Sequence, residues 1–242
     1  MIQKFLEKCN SCGKCQKSCL FLSKYGKPDE ILKRDDETVF ECTNCRACTL
    51  VCPFGIDPAS AIFQRKVQLL KSGKVFEKVI TVKKEVNAFA MRGHRFPFVY
   101  YGKGGYVFWP GCGVASVSPE IVKSTQKRLA DALNTDVALV LDCCSDPCYQ
   151  MGDLDTVNLA IGEIEKSLTQ SGVKTVITGC ANCTKVLSNH LKGFEVRHVL
   201  EILPASDFDA TRFKGSMRFH HPCPSFRFQA MQEGAKAIVG DI

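Results

Sequence analysis

Long apolar runs are missing from this sequence. No uninterrupted stretch approaches the roughly 18 residues that a membrane-spanning helix needs. The first ten residues, Met1 to Asn10, carry Lys4, Glu7 and Lys8 and lack the apolar core of a secretory signal. A long polar tract is absent as well, which argues against disorder, because enough apolar material remains to offset chain entropy. No GxGxxG occurs, so the chain is expected to bind neither a nicotinamide nor a flavin dinucleotide. The Gly-Lys-Gly-Gly run from Gly102 to Gly105 precedes an apolar stretch and does not lead from strand to helix. It is read as an interdomain linker, not a phosphate loop. These absences lead to the expectation of a soluble, cytoplasmic protein that would meet a membrane only peripherally, through partners.

Cysteine is what the chain has. There are 15 in 242 residues, an odd number in a sequence with no export signal. A reducing compartment disfavours a disulfide framework, so metal ligands or catalytic thiols are expected. Charge is unevenly shared. Residues 1–100 hold 18 Lys and Arg against 10 Asp and Glu, whereas the remainder is nearly balanced. A basic half suggests nucleic acid, but no RNA- or DNA-binding signature accompanies it, so no nucleic-acid partner is expected. Two all-thiolate iron–sulfur clusters would each add roughly −2 and reduce that half to about +4. The remainder could steer an acidic partner subunit.

The cysteines fall into three groups. Cys9, Cys12, Cys15 and Cys19 form one run, and Cys42, Cys45, Cys48 and Cys52 a second with identical C-x2-C-x2-C-x3-C spacing, 33 residues later. The third group is dispersed: Cys112, Cys143, Cys144, Cys148, Cys180, Cys183 and Cys223. A helix is predicted from about Ala59 to Lys74, with Ile62, Phe63, Val67 and Leu70 at apolar spacings. Glycines and aromatics from Gly93 to Gly105 then break the pattern, and a domain boundary near residue 100 is expected. Beyond it strands and helices alternate. Strands are predicted at Tyr106–Trp109, Val137–Leu141, Thr175–Thr178, Glu195–Val199 and Met217–His220, and helices from Pro119 to Leu133, from Leu154 to Leu168 and around Val186–Leu191. That alternation implies parallel βαβ units. The expected fold is α+β and multidomain: a helical domain over 1–100 and an α/β, parallel-sheet domain over 101–242. Cys112, Cys143, Cys144, Cys180, Cys183 and Cys223 all follow predicted strand ends, the edge where open α/β sheets bind ligands.

The doubled C-x2-C-x2-C-x3-C run is the spacing of bacterial ferredoxins, in which three thiolates converge from one tight loop and the fourth serves the other cluster. The resemblance implies two [4Fe-4S] clusters, one held by Cys9, Cys12, Cys15 and Cys52 and the other by Cys42, Cys45, Cys48 and Cys19. Two zinc sites built from CxxC pairs would leave the third cysteine of each run without a role. The 22 residues from Leu20 to Glu41 exceed a minimal ferredoxin hairpin. The domain therefore resembles the α-helical ferredoxin type of fumarate reductase and heterodisulfide reductase iron–sulfur subunits.

The dispersed group reads C-x30-CC-x35-C-x2-C from Cys112 to Cys183. With Trp109-Pro110-Gly111-Cys112, Cys143-Cys144 and Gly179-Cys180-Ala181-Asn182-Cys183, it resembles the cysteine-rich CCG domain of the heterodisulfide reductase catalytic subunit. Relatives of that domain occur in iron–sulfur subunits of glycolate, lactate and glycerol-3-phosphate dehydrogenases. The family's glycine after the cysteine pair is Ser145 here. The resemblance implies a third centre ligated by Cys112, Cys143, Cys144, Cys180 and Cys183, a noncubane [4Fe-4S] cluster that cleaves a disulfide, with zinc or an ordinary cubane as alternatives. His220-His221-Pro222-Cys223-Pro224 resembles the opening of a second CCG unit whose other cysteines this sequence does not contain. A partner subunit could supply it.

Cys223 is a further candidate ligand, whereas Cys148 is read as a buried small residue. His220 and His221 could protonate a leaving thiolate, although a structural role is the plainer reading. His94, His190 and His198 are not singled out. The expected function is that of an iron–sulfur subunit of an oxidoreductase complex. It would pass electrons between a flavin-bearing partner and the CCG centre, where a small disulfide or thiol substrate reacts. The alternative is a relay subunit of a flavin-linked hydroxy-acid or glycerol-3-phosphate dehydrogenase that feeds a quinone, with a non-catalytic CCG site.

Overall fold

A computed structural model describes residues 1–74, 76–90, 100–203, 220 and 222–239. The chain groups into two compact units, Met1–Ala88 with Pro147–Val157, and Phe89–Asp146 with Asn158–Ile242. No described helix is long and apolar enough to cross a membrane.

The first unit is helical: α1 (Ile2–Lys8), α2 (Lys14–Lys17), α3 (Leu20–Tyr25), α4 (Pro28–Lys33), a 3-10 turn (Glu37–Glu41), α5 (Ala47–Leu50), α6 (Pro58–Lys71) and α7 (Glu77–Ala90). Helix α6 organises it. Asp57 caps its first turn by accepting from Ser60 N, and Pro58 takes the first helical position, where no amide is needed. Ala59, Ile62, Phe63 and Lys66 then form one buried stripe. The helix ends at Lys71, three residues before the predicted end, because Ser72 and a left-handed Gly73 stop it. The core gathers Phe5, Leu22, Ile31, Leu32, Val39 and Ile62. Helix α7 has no counterpart among the predicted elements.

In the second unit a five-stranded sheet has the order β1-β3-β2-β4-β5, with β1 Tyr100–Tyr101, β2 Tyr106–Trp109, β3 Val137–Val140, β4 Thr175–Thr178 and β5 Glu195–His198. The β2–β3, β2–β4 and β4–β5 pairs are parallel, in the registers Tyr106↔Val137, Tyr106↔Thr175 and Thr175↔Glu195. The sheet is nevertheless mixed, because β1 lies antiparallel on β3, with Tyr100 opposite Val140. This corrects the expectation of a purely parallel sheet, and it also corrects the reading of Gly102–Gly105 as a linker. That run carries the chain across the start of β3, from one side of the strand to the other. A Cβ on Gly102 would sit 3.2 Å from Ala138 Cα, and one on Gly104 2.8 Å from the Asp136 carbonyl, both at positive φ. The predicted Met217–His220 strand and most of the Gly93–Gly105 boundary fall outside the described residues.

Helices α8 (Cys112–Val117) and α9 (Pro119–Leu133) follow β2. Helices α10 (Asp146–Met151) and α11 (Leu154–Gln170) follow β3, α12 (Ala181–His190) follows β4, and α13 (Gln229–Val239) comes last. The core of the sheet packs Phe108 and Ile177 against Val122 and Leu129 of α9. The chain leaves β2 for β3 on one side and β4 on the other, so the switch point of the sheet lies at the C-terminal end of β2.

Candidate metal centres

The two ferredoxin-type runs adopt the same local backbone. In the first, Ser11 (φ 56°) and Gly13 (φ 74°) are left-handed; in the second, the residues 33 positions later, Asn44 (φ 54°) and Arg46 (φ 69°), are left-handed too. Alternating handedness curls each loop tightly and turns amides toward sulfur. Asn44 N donates to Cys42 Sγ at 3.4 Å, and the Ser11 amide makes the matching bond to Cys9, lowering its pKa against a larger upward push from burial. Helices α2 and α5 begin directly after the left-handed Gly13 and Arg46.

Cys9, Cys12, Cys15 and Cys52 line one pocket, closed by Phe5, Pro53, Phe54 and Ile56. Cys52, the last cysteine of the second run, thus stands with the first three of the first run. Conversely, Cys19 and Cys45 lie close enough to Cys42 and Cys48 for their charges to raise both pKa values. Burial is the larger cause, and it pushes Cys48 up to about 12. The last cysteine of each run thus sits with the first three of the other. Among the described residues no three His, Cys, Asp or Glu side chains are already closed around a single metal position. The chemistry of the donor sets nonetheless suits iron–sulfur clusters: each holds four thiols, and apolar rings wall the first.

The second run depends on a polar clamp. Arg46 is in a left-handed conformation that a non-glycine residue adopts at a cost. Its guanidinium pairs with Asp57. Asp57 also accepts from Thr49 Oγ1 at 2.5 Å, Ser60 N at 3.0 Å and Ser60 Oγ at 2.7 Å. Burial pushes its carboxyl up, but these hydrogen bonds and Arg46 together hold it below the usual range.

Sequence reasoning passed over Lys66. Its side chain is 2% exposed, and Nζ donates to the Cys42 carbonyl at 2.5 Å and the Gln150 carbonyl at 2.9 Å. Burial draws its pKa down to about 8, against an upward pull from Cys42. The available signal was a lysine placed on the apolar stripe of α6.

The second unit collects Cys112, Cys143, Cys144, Cys180 and Cys183 from the ends of β2, β3 and β4. Cys143 touches Cys112, and Cys183 touches both Cys144 and Cys180, contacts that drive the Cys143 and Cys183 thiols strongly up. Cys180 moves the other way, to about 6. The Cys183 side chain and the amides of Cys183 and Asn182 donate to it, against burial and the nearby Asp146. Glycine makes this gathering possible. A Cβ on Gly111 would lie 2.7 Å from Cys180 Cβ, and one on Gly179 2.9 Å from the Pro110 carbonyl. Ser145, in the place of the family's glycine, is left-handed (φ 63°) and fully buried, and its amide donates to Cys143 Sγ at 3.4 Å. Its hydroxyl has no hydrogen-bond partner. A buried pair joins the segments that carry the thiols: Lys185 Nζ lies 2.5 Å from Asp146 Oδ1 and 3.5 Å from Asn182 Oδ1. A cavity bounded by Pro110, Gly111, Cys112, Ser116, Leu141 and Cys143 opens onto the group.

The spare thiols stand apart. Cys148 is fully buried in the first unit, where its Sγ donates to Asn87 Oδ1 at 3.4 Å, and burial raises its pKa to about 12. Cys223 is exposed at the start of a 3-10 turn, and no described contact joins it to the five. His220 is exposed, while His221 and His94 fall outside the described residues.

Residues 5–56 match the 4Fe-4S dicluster domain family. Iron–sulfur proteins of Methanococcus maripaludis and Methanocaldococcus jannaschii, both named as uncharacterized, are 26% and 25% identical over 223 and 224 residues. A fumarate reductase (CoM/CoB) subunit of Methanothermobacter marburgensis is 25% identical over 225 residues. These alignments cover 85–86% of this chain but 45% of each relative, so the chain spans about half the length of the relatives it matches. No solved structure matches. The domain match supports an iron–sulfur, electron-transfer role.

Proposed function

We propose that this chain is an electron-transfer subunit of a multi-subunit reductase, with three metal centres and a disulfide-type substrate. Cys9, Cys12, Cys15 and Cys52 hold one [4Fe-4S] cluster, Cys19, Cys42, Cys45 and Cys48 a second, and Cys112, Cys143, Cys144, Cys180 and Cys183 a noncubane third. Bound there, the clusters would supply one-electron carriage and, at the five-thiol site, an iron able to take up a substrate sulfur. The chain's own residues do the rest. Phe5, Phe54 and Ile56 give the first cysteine group an apolar lining. Lys185 and Asp146 hold the cysteine pair against the CxxC helix. The cavity beside Cys112 and Cys143 admits a small molecule.

The observation that carries this reading is the assembly of five thiols from three strand ends at one switch point. A tetrahedral zinc site uses four ligands and would leave one of them idle. The relative named as a fumarate reductase (CoM/CoB) subunit supports a place in a redox complex. Reduction of one disulfide consumes two electrons and two protons and releases two thiols, so two single-electron carriers upstream suit the stoichiometry.

Iron, zinc and acid-labile sulfide measured on anaerobically purified protein test the proposal. About twelve irons per chain are expected, and thiol addition should alter the EPR signal of the third centre. About eight irons with one zinc would refute disulfide chemistry in this chain and leave a relay with a structural cap.

A further inference from the structure

Lys66 is a buried cation without a buried anion to explain it. Both of its hydrogen-bond acceptors are neutral carbonyls, and among the described residues no carboxylate pairs with it. An ammonium taken out of water costs several kcal/mol unless a counter-charge is near. It occupies a position on the α6 stripe that an apolar residue could fill. Its ammonium sits on the carbonyl of Cys42, which places the charge directly against the group of Cys19, Cys42, Cys45 and Cys48. The neighbouring thiol group is served differently. There Asp29 lies close enough to Cys9 to raise its pKa, and Asp29 Oδ1 is buried with no hydrogen-bond partner. Lys27 lines the same pocket but is only partly buried, so water and salt screen its charge more than that of Lys66.

We propose that Lys66 is the fixed counter-charge of the centre held by Cys19, Cys42, Cys45 and Cys48, and that it makes this centre the more readily reduced of the two. One electron given up at the Cys9–Cys12–Cys15–Cys52 site then runs downhill toward Cys42. The Gln150 carbonyl keeps the ammonium in place as a second acceptor, so the charge stays beside Cys42. This inference rests on the ligand assignment proposed above. Lys66 is a positioning residue here, since it acts on a ligand's surroundings and on no substrate.

The test is an EPR-monitored redox titration of the full chain, prepared without oxygen, as wild type, Lys66→Met, Lys66→Gln, Lys66→Arg and Asp29→Asn. Loss of the charge in Lys66→Met and Lys66→Gln is expected to lower the reduced-to-oxidised ratio of the higher-potential centre about tenfold at a fixed potential. Lys66→Arg keeps the wild-type ratio. Asp29→Asn raises the ratio of the other centre only. If Lys66→Met sheds iron, the Gln and Arg variants carry the comparison. Eight cubane irons with unchanged midpoints in both neutral variants would overturn this proposal alone. A wild-type chain with fewer than eight irons would overturn the ligand assignment, and this proposal with it.

Discussion

Removal of the Asp57 carboxylate is expected to unravel the second cysteine run before it damages anything else. Asp57→Ala deletes four interactions of three kinds. The first is the α6 cap from Ser60 N, worth about 1 kcal/mol. The second is a pair of charged hydrogen bonds from Thr49 Oγ1 and Ser60 Oγ, about 1.5–3 kcal/mol each before both hydroxyls turn to water. The third is the Arg46 pair; with both side chains about a third exposed it adds less than about 1 kcal/mol. These terms share one carboxylate and do not add, so a net loss of about 2–4 kcal/mol is expected. Arg46 must then keep its left-handed conformation unaided, between Cys45 and Cys48. Two readouts follow. Thermal unfolding of the helical unit should drop on the order of 10 °C or more, and iron should fall by about four per chain. The sign with pH is fixed by the lowered carboxyl pKa. The contribution is present in full above the unfolded value of about 4 and is lost as acid protonates the folded carboxyl. Asp57→Asn keeps one acceptor oxygen and should lie between wild type and Asp57→Ala. Wild-type iron content and an unchanged midpoint in Asp57→Ala would refute the reasoning.

Gly111→Ala forces a Cβ to within 2.7 Å of Cys180 Cβ at φ 87°, so the third centre should lose its metal at a cost of about 2–5 kcal/mol while the two ferredoxin-type signals persist in EPR. Ser145→Gly relieves a left-handed backbone and removes an unpartnered buried hydroxyl, which should outweigh the entropy of glycine and raise the unfolding free energy by about 1 kcal/mol, read as a higher denaturation midpoint. A lower midpoint would show that the hydroxyl packs usefully. His198, buried beneath a 3-10 turn whose Leu200 N it accepts through Nδ1, is held neutral with its pKa lowered by burial to about 4. Because the unfolded imidazole binds protons first, stability should fall by about 3 kcal/mol as pH drops from 6.5 to 4. His198→Gln should flatten that slope in urea titrations at stepped pH.

Local chemistry was legible in the sequence wherever one segment carries it. The spacing of the two runs announced iron–sulfur ligation, since three thiols two residues apart serve a cubane and little else. Strands β2 and β4 and helix α9 were readable as well, because a compact apolar run marks a buried strand and a proline at the first helical position marks a helix start. Strand β1 was not, because two tyrosines carry no period and pair only once β3 exists beside them. The same holds for Gly102 and Gly104, whose need for a missing Cβ is set by Asp136 and Ala138, more than thirty residues away. The sequence also placed five cysteines at strand ends, but it was the strand order, with β2 between β3 and β4, that brought them into contact. Lys66 marks the limit most clearly. On a helical wheel it is one lysine among apolar neighbours. Only the packing of α6 beneath Cys42 and Gln150 makes it a buried charge, because a counter-charge is a property of what surrounds a residue and not of the residue itself.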